Sequence, residues 1–180
     1  MTMPFPEPLD LPPALEKETP LWRYAVACWQ QPELARACLQ LQAQGWSVTR
    51  ILCAGWLGAS GRRFSGIEDA KVTEWRSHVT GNLRRARKSI PADAPLYRGL
   101  RDTLSEVELE AEQTELALAW QTLRERNPEA SDMHDRKAAT RTNLLAAAPS
   151  SSPVDADTED LITVLAKRLA NGPAEDLEPC

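Results

Sequence analysis

The sequence predicts an all-α protein: a compact bundle of about five helices, one of them long, followed by a tethered C-terminal amphipathic helix. Three observations predict it. From residue 20 to 126, apolar residues recur at three- and four-residue steps, the period of one helix face. The apolar mass comes from Leu and six Trp, with two Phe, two Tyr and few runs of β-branched residues, which argues against a sheet. Cap residues, Pro and Gly punctuate the pattern where helices should start and stop.

Residues 1–18 carry five of the fourteen prolines and no period, and read as an extended arm. Thr19-Pro20 is a helix start, cap then first helical position. Leu21, Trp22, Ala25, Cys28 and Trp29 line one side of that helix, and Pro32 ends it. The second helix has Leu34, Ala37, Cys38 and Leu41 on its apolar stripe and Gly45 as a left-handed terminator. Ser47 caps the third, with Val48, Ile51, Leu52, Gly55 and Trp56 inside; Gly58 and Gly61 close this corner.

A fourth helix is expected over 68–89, apolar at Val72, Trp75, Val79, Leu83, Ala86 and Ile90. Asp93 is expected to cap a fifth over 94–126, about 48 Å long. Tyr97, Leu100, Leu104, Val107, Ala111, Thr114 and Leu118 alternate steps of three and four along it, the seam of a helix packed on helices. A second stripe, Leu109, Leu116, Trp120 and Leu123, lies nearly opposite and calls for cover from outside the bundle. Residues 128–156 are rich in Ala, Ser, Pro and charge and read as a mobile linker with a weak helix around 135–147. Asp157 or Thr158 is expected to cap the last helix, over 157–169 or so, within a terminal segment 157–180. The helical unit proper is then 19–127.

The net charge of −5 conceals a gradient: −2 over residues 1–43, +7 over 44–101 and −10 over 102–180. Arg76, Arg84, Arg85, Arg87 and Lys88, with Arg62 and Arg63, form the concentrated basic patch. Such a patch suits phosphate backbones, but a pI near 5.2 is unlike a nucleic-acid binder. The preferred reading sets these cations against the chain's own acidic helix, at Glu106, Glu108, Glu110, Glu112 and Glu115.

No constellation for chemistry stands out. Cys28, Cys38, Cys53 and Cys180 lack paired spacing, and His78 and His134 lie far apart, so neither zinc nor a catalytic cysteine–histidine pair is expected. Gly55-Trp56-Leu57-Gly58-Ala59-Ser60-Gly61-Arg62-Arg63 lacks the Gly-Lys-Ser/Thr of a phosphate loop and follows a helix rather than a strand. No cofactor is expected. A pocket walled by Trp22, Trp29, Trp56 and Trp75 would suit a small-molecule binder, although tryptophans at helical spacing more often form core.

Leu21-Trp22-x-Tyr24-Ala25, Ala37-Cys38-Leu39-x-Leu41-Gln42, Gly45-x-x-Val48, Leu52-Cys53 and Trp56-Leu57-Gly58 recur in a recognisable order, followed by Trp75 and Leu83-Arg84-x-x-Arg87. Over residues 20–120 this pattern resembles an uncharacterised proteobacterial family of conserved hypothetical proteins, with Thr49 where that family has Asn. The resemblance implies a single helical unit with a variable C-terminal part, and carries no catalytic residue.

The reading favoured by these features is a non-enzymatic interaction or adaptor protein of the bacterial cytoplasm. Either the tail helix is expected to fold back over Leu109, Leu116, Trp120 and Leu123, or a protein partner or self-association covers them. A nucleic-acid- or ribosome-associated factor using the basic helix comes next, and a helical enzyme or small-molecule binder third. Neither an export signal nor a membrane span is expected.

Overall fold

A computed structural model describes residues 7–130, 132–151 and 153–173. Among these residues the chain is all-α, with a single isolated bridge between Arg62 and Glu129. Helix α1 is Pro20–Trp29, α2 Pro32–Ala43 and α3 Val48–Ala59. Helix α4 runs Ala70–Trp75, passes through a π-helical turn Arg76–Thr80 and continues as Gly81–Ser89. After a 3-10 turn, Pro95–Tyr97, come α5 (Arg98–Arg126), α6 (Arg136–Ala147) and α7 (Ala156–Leu169). No helix of the described residues is long and apolar enough to cross a membrane.

Local chemistry accounts for most boundaries. Thr19 Oγ1 accepts from the Trp22 amide at 3.1 Å and Ser47 Oγ from that of Arg50 at 3.3 Å, each satisfying an amide that the first turn leaves open. Gly45 closes α2 at φ +93°, a conformation that side chains with a Cβ rarely adopt. Three boundaries differ from expectation. Helix α4 starts at Ala70, capped by Asp69, rather than at 68. Pro95 holds Ala94 extended, so α5 starts at Arg98 without an Asp93 cap. Asp155 caps α7, its Oδ1 accepting from the Thr158 amide at 2.8 Å.

The expected count of about five helices plus one is corrected to seven among the described residues, and the added helix is structural. Residues 136–147, expected as a weak helix within a mobile linker, form α6, a docked helix capped by Asp135. It lies along α3 with Ala139, Thr140, Asn143, Leu144 and Ala147 buried. The reason is steric. A Cβ on Gly58 would stand 2.5 Å from the Thr140 Cα, so α3 and α6 touch backbone to backbone. Small residues pack there, and a search for large apolar side chains underestimates them. Gly55 does the same for α7, since its Cβ would fall 3.0 Å from Leu169 and 2.8 Å from the Tyr24 hydroxyl. Both glycines lie inside α3; only Gly61, at φ +74°, serves as a terminator.

Helix α7 is docked rather than tethered. It packs on α2, α3 and α6, with Ile162, Leu165 and Leu169 fully buried. Tyr24 Oη donates to the Leu169 carbonyl at 2.8 Å, joining α1 to its end. Two buried asparagines fix the loop after α3. Asn143 Oδ1 accepts from the Phe64 amide (2.8 Å) and its Nδ2 donates to the Arg62 carbonyl (2.8 Å), while Asn127 Oδ1 accepts from the Ser65 amide (2.9 Å).

Two outcomes follow. Gly58→Ala should lower the free energy of unfolding by about 1–3 kcal/mol, the usual cost of overpacking a tight contact, as read from urea melts. Removing residues 128–180 should abolish cooperative thermal unfolding; a truncated chain melting within a few degrees of the whole one would contradict this packing.

Candidate interaction surface on the helical hairpin

Helices α4 and α5 form an antiparallel hairpin with two dissimilar halves. The lower half is seated in the core. The upper half stands clear of it: no residue of Gly81–Ser89 is buried, and burial along α5 begins only at Glu108. At 1.5 Å per residue α5 is about 43 Å long, and about a third of that projects.

Charge holds the hairpin together. At its base Arg76 grips Glu68 with two bonds, of 2.6 and 2.9 Å, and Glu115 with a third of 2.7 Å. Arg50 of α3 joins from the other side, 2.7 Å from Glu68, and donates to the Ala146 and Ala147 carbonyls at the end of α6 (3.0 and 3.1 Å). Higher up, Arg84 reaches Glu108 at 2.9 Å and Glu112 at 2.6 Å, and Arg87 also binds Glu108. Arg101 then donates to the Arg87 and Ile90 carbonyls at 2.6 and 2.7 Å, closing the end of α4. Burial alone would raise the Glu68 and Glu108 carboxyls; the arginine hydrogen bonds outweigh it and hold both below the ordinary range.

The π turn sits at the junction of the two halves. It needs Gly81, where a Cβ would lie 2.9 Å from the Arg76 carbonyl oxygen. Beside it the Trp75 indole donates to the Ala111 carbonyl at 2.9 Å.

Next to this polar spine runs an apolar groove of about 330 Å³, with Trp75, Val79 and Leu83 on one wall and Val107, Ala111 and Leu118 on the other. The arm crosses its lower half. Leu11 and Leu15 line the groove, while Lys17 pairs with Glu110 (3.4 Å) and Glu18 accepts from Gln113 (3.1 Å). Above the arm much of the α5 seam is exposed: Leu100 is 57% and Tyr97 49% exposed, Leu104 between them and Val107 is half-buried, and Leu96 at the tip is 82% exposed.

The residues selected from sequence are redistributed by the fold. Leu116 and Leu123 are core residues, and Trp120 is half-buried with its ring edge-on to Trp56 at 5.0 Å. The chain itself therefore covers three members of that stripe, and Leu109 stays exposed. In the basic patch Arg76, Arg84 and Arg87 are bound to glutamates of α5; Arg85 and Lys88 remain exposed with no ion pair among the described residues. Arg62 and Arg63 contact Glu129 (3.2 Å) and Asp132 (2.6 Å).

Cys28, Cys38 and Cys53 are free and buried. Burial pushes their thiols up, to about 11 for Cys28, about 12 for Cys38 and further for Cys53, so they are protonated and weakly nucleophilic at neutral pH. Cys180 lies outside the described residues. His78 is exposed with Nδ1 3.1 Å from the Glu74 carbonyl, and His134 is exposed elsewhere. Of Trp22, Trp29, Trp56 and Trp75, Trp75 alone lines the groove, so the four do not wall a common pocket. The sequence reading missed the structural part of Glu68 and Arg50 and the exposure of Leu96; the alternating step through Tyr97, Leu100 and Val107 was the usable signal for the surface.

A family model described as "Protein of unknown function (DUF2390)" matches residues 20–119, which span α1 to most of α5 and include the whole projecting hairpin. No curated protein and no solved structure matches the chain.

Glu68→Gln leaves two partly buried arginines without their shared carboxylate, and should cost about 3–5 kcal/mol. The sign with pH is fixed by the depressed Glu68 carboxyl: its contribution is complete at neutral pH and is lost as pH falls from about the ordinary 4.5 through the folded value. Urea midpoints should therefore fall steeply below that pH in the native chain and less in Glu68→Gln; parallel curves would rule the ladder out as the cause.

Proposed function

We propose that this chain, which belongs to the DUF2390 family, works as a non-enzymatic interaction protein that presents the upper half of its α4–α5 hairpin to a protein partner. One observation carries the reading. The apolar seam of α5 continues past the arm that covers its lower half, onto a projection whose own cohesion comes from arginine–glutamate bonds. Tyr97 and Leu100 therefore add nothing to the closure of the fold, and exposed apolar surface on a polar mount is characteristic of binding faces. A partner helix laid along the seam would meet apolar anchors at three- and four-residue steps.

The same reading moves the interaction surface from the Leu109, Leu116, Trp120 and Leu123 stripe to the other side of α5. Three of the five basic-patch cations already have glutamate partners, which weakens the case for a nucleic-acid ligand. The three free, buried thiols suit a reducing compartment, and this supports a cytoplasmic location.

The test uses a photo-crosslinking amino acid placed in native cells at position 100, with exposed Lys137 on α6 as the control position. Discrete adducts should form from position 100 and not from 137. Equal or absent labelling at the two sites would sink the proposal.

A further inference from the structure

Resting on that reading, we infer that the proline-rich arm is a displaceable strap, and that an apolar segment of the protein partner, with a basic residue set against Glu110, takes its place. The seam passes from Leu100 through Leu104 to Val107 and Ala111 in steps of three and four. A partner helix laid along it from the tip therefore reaches the arm-lined groove at Val107. From there on partner and arm compete for the same walls, Trp75, Val79 and Leu83 on α4 and Ala111 and Leu118 on α5.

The arm is loosely held. None of residues 7–18 is buried, and among the described residues none shares a backbone–backbone hydrogen bond with either helix of the hairpin. Leu11 is 39% exposed although it lines the groove, and about 330 Å³ stays open with the arm in place. The arm's ion pairs to the hairpin, Lys17 with Glu110 and Asp10 with Lys71 (3.6 Å), lie at the surface, where such pairs hold little. Helices α6 and α7 give the contrast. Like the arm they fall outside the family match, yet they bury Leu144, Ile162, Leu165 and Leu169 completely.

Glu110 sets the chemistry of the replacement. Apart from Lys17 it is the charged residue among those that line the groove, and Thr114 is the other polar one. A segment that displaces the arm strips Glu110 of Lys17, so one that brings its own cation is favoured and an acidic one is repelled. A tethered arm acts at an effective concentration on the order of millimolar. A partner overcomes that by adding contacts the arm lacks, and the exposed Tyr97 and Leu100 supply them.

The test places the photo-crosslinking amino acid at position 79, in the groove wall, of the full chain in native cells, beside the position-100 chain. The native arm should keep adducts to other proteins scarce at 79. Leu11→Ser with Leu15→Ser, or Lys17→Glu alone, should release the arm and raise them several-fold, to the same protein that position 100 labels. Both variants should keep the native melting curve, since no arm residue is buried. Adding Glu110→Lys to the released chain should cut the yield at 79 several-fold. If position 100 labels a protein but yields at 79 are the same with the arm native and released, the strap is overturned and the interaction reading stands. Yields at 79 indifferent to Glu110→Lys overturn the basic residue of the partner segment. If position 100 labels nothing in native or released chains, the interaction reading falls and the strap with it.

Discussion

The guanidinium of Arg76 is the point through which the two parts of this molecule are joined. It holds Glu68, which Arg50 holds from α3, and it holds Glu115 of α5, which is 2% exposed. Four alternating charges thus connect α3, the loop before α4, α4 itself and α5, and Arg50 extends the connection to the last carbonyls of α6. Buried ion pairs add little net stability compared with apolar packing. What they supply is geometry: each arginine has fixed donor directions, so α4 can stand against α5 in one register.

The core has a different logic. Helix α3 is nearly enclosed, and its Gly55 and Gly58 let α7 and α6 approach to distances that any side chain would prevent. Dispersion contacts at such short range compensate for the small apolar residues of α6. The family match stops at residue 119, yet Leu144, Ile162, Leu165 and Leu169, all fully buried, lie beyond it. In this chain the matched span is therefore completed by helices from outside it.

What was legible in the sequence was local. The caps at Thr19 and Ser47 and the terminator at Gly45 were readable because cap chemistry involves residues three apart. The seam from Tyr97 to Leu118 was readable as a period, but its cover was not: whether Leu100 meets a helix, an arm or water depends on where a proline-rich segment ninety residues earlier comes to rest. Helix α6 was legible as a weak helix, but its docking was not, for a steric reason: its contact with α3 is made where Gly58 has no side chain. The basic patch had two readings in sequence; the fold pairs Arg84 and Arg87 with Glu108 and leaves Arg85 and Lys88 exposed, an arrangement no periodicity could have indicated.

A hairpin end held by ion pairs, without a single buried residue between Gly81 and Ser89, also differs from the core in how it moves. Hydrophobic closure makes a core open all at once, whereas a row of partly solvated rungs can open one at a time from the free end. The strength of those rungs depends on ionic strength, because mobile ions screen the more exposed ones within about 10 Å at 0.1 M salt. Backbone amides near the tip should therefore exchange with solvent through local fraying, on a free-energy scale set by salt, while those of α3 should wait for global unfolding. The element that carries the exposed seam is thus the one whose order the surrounding medium can adjust without touching the rest of the protein.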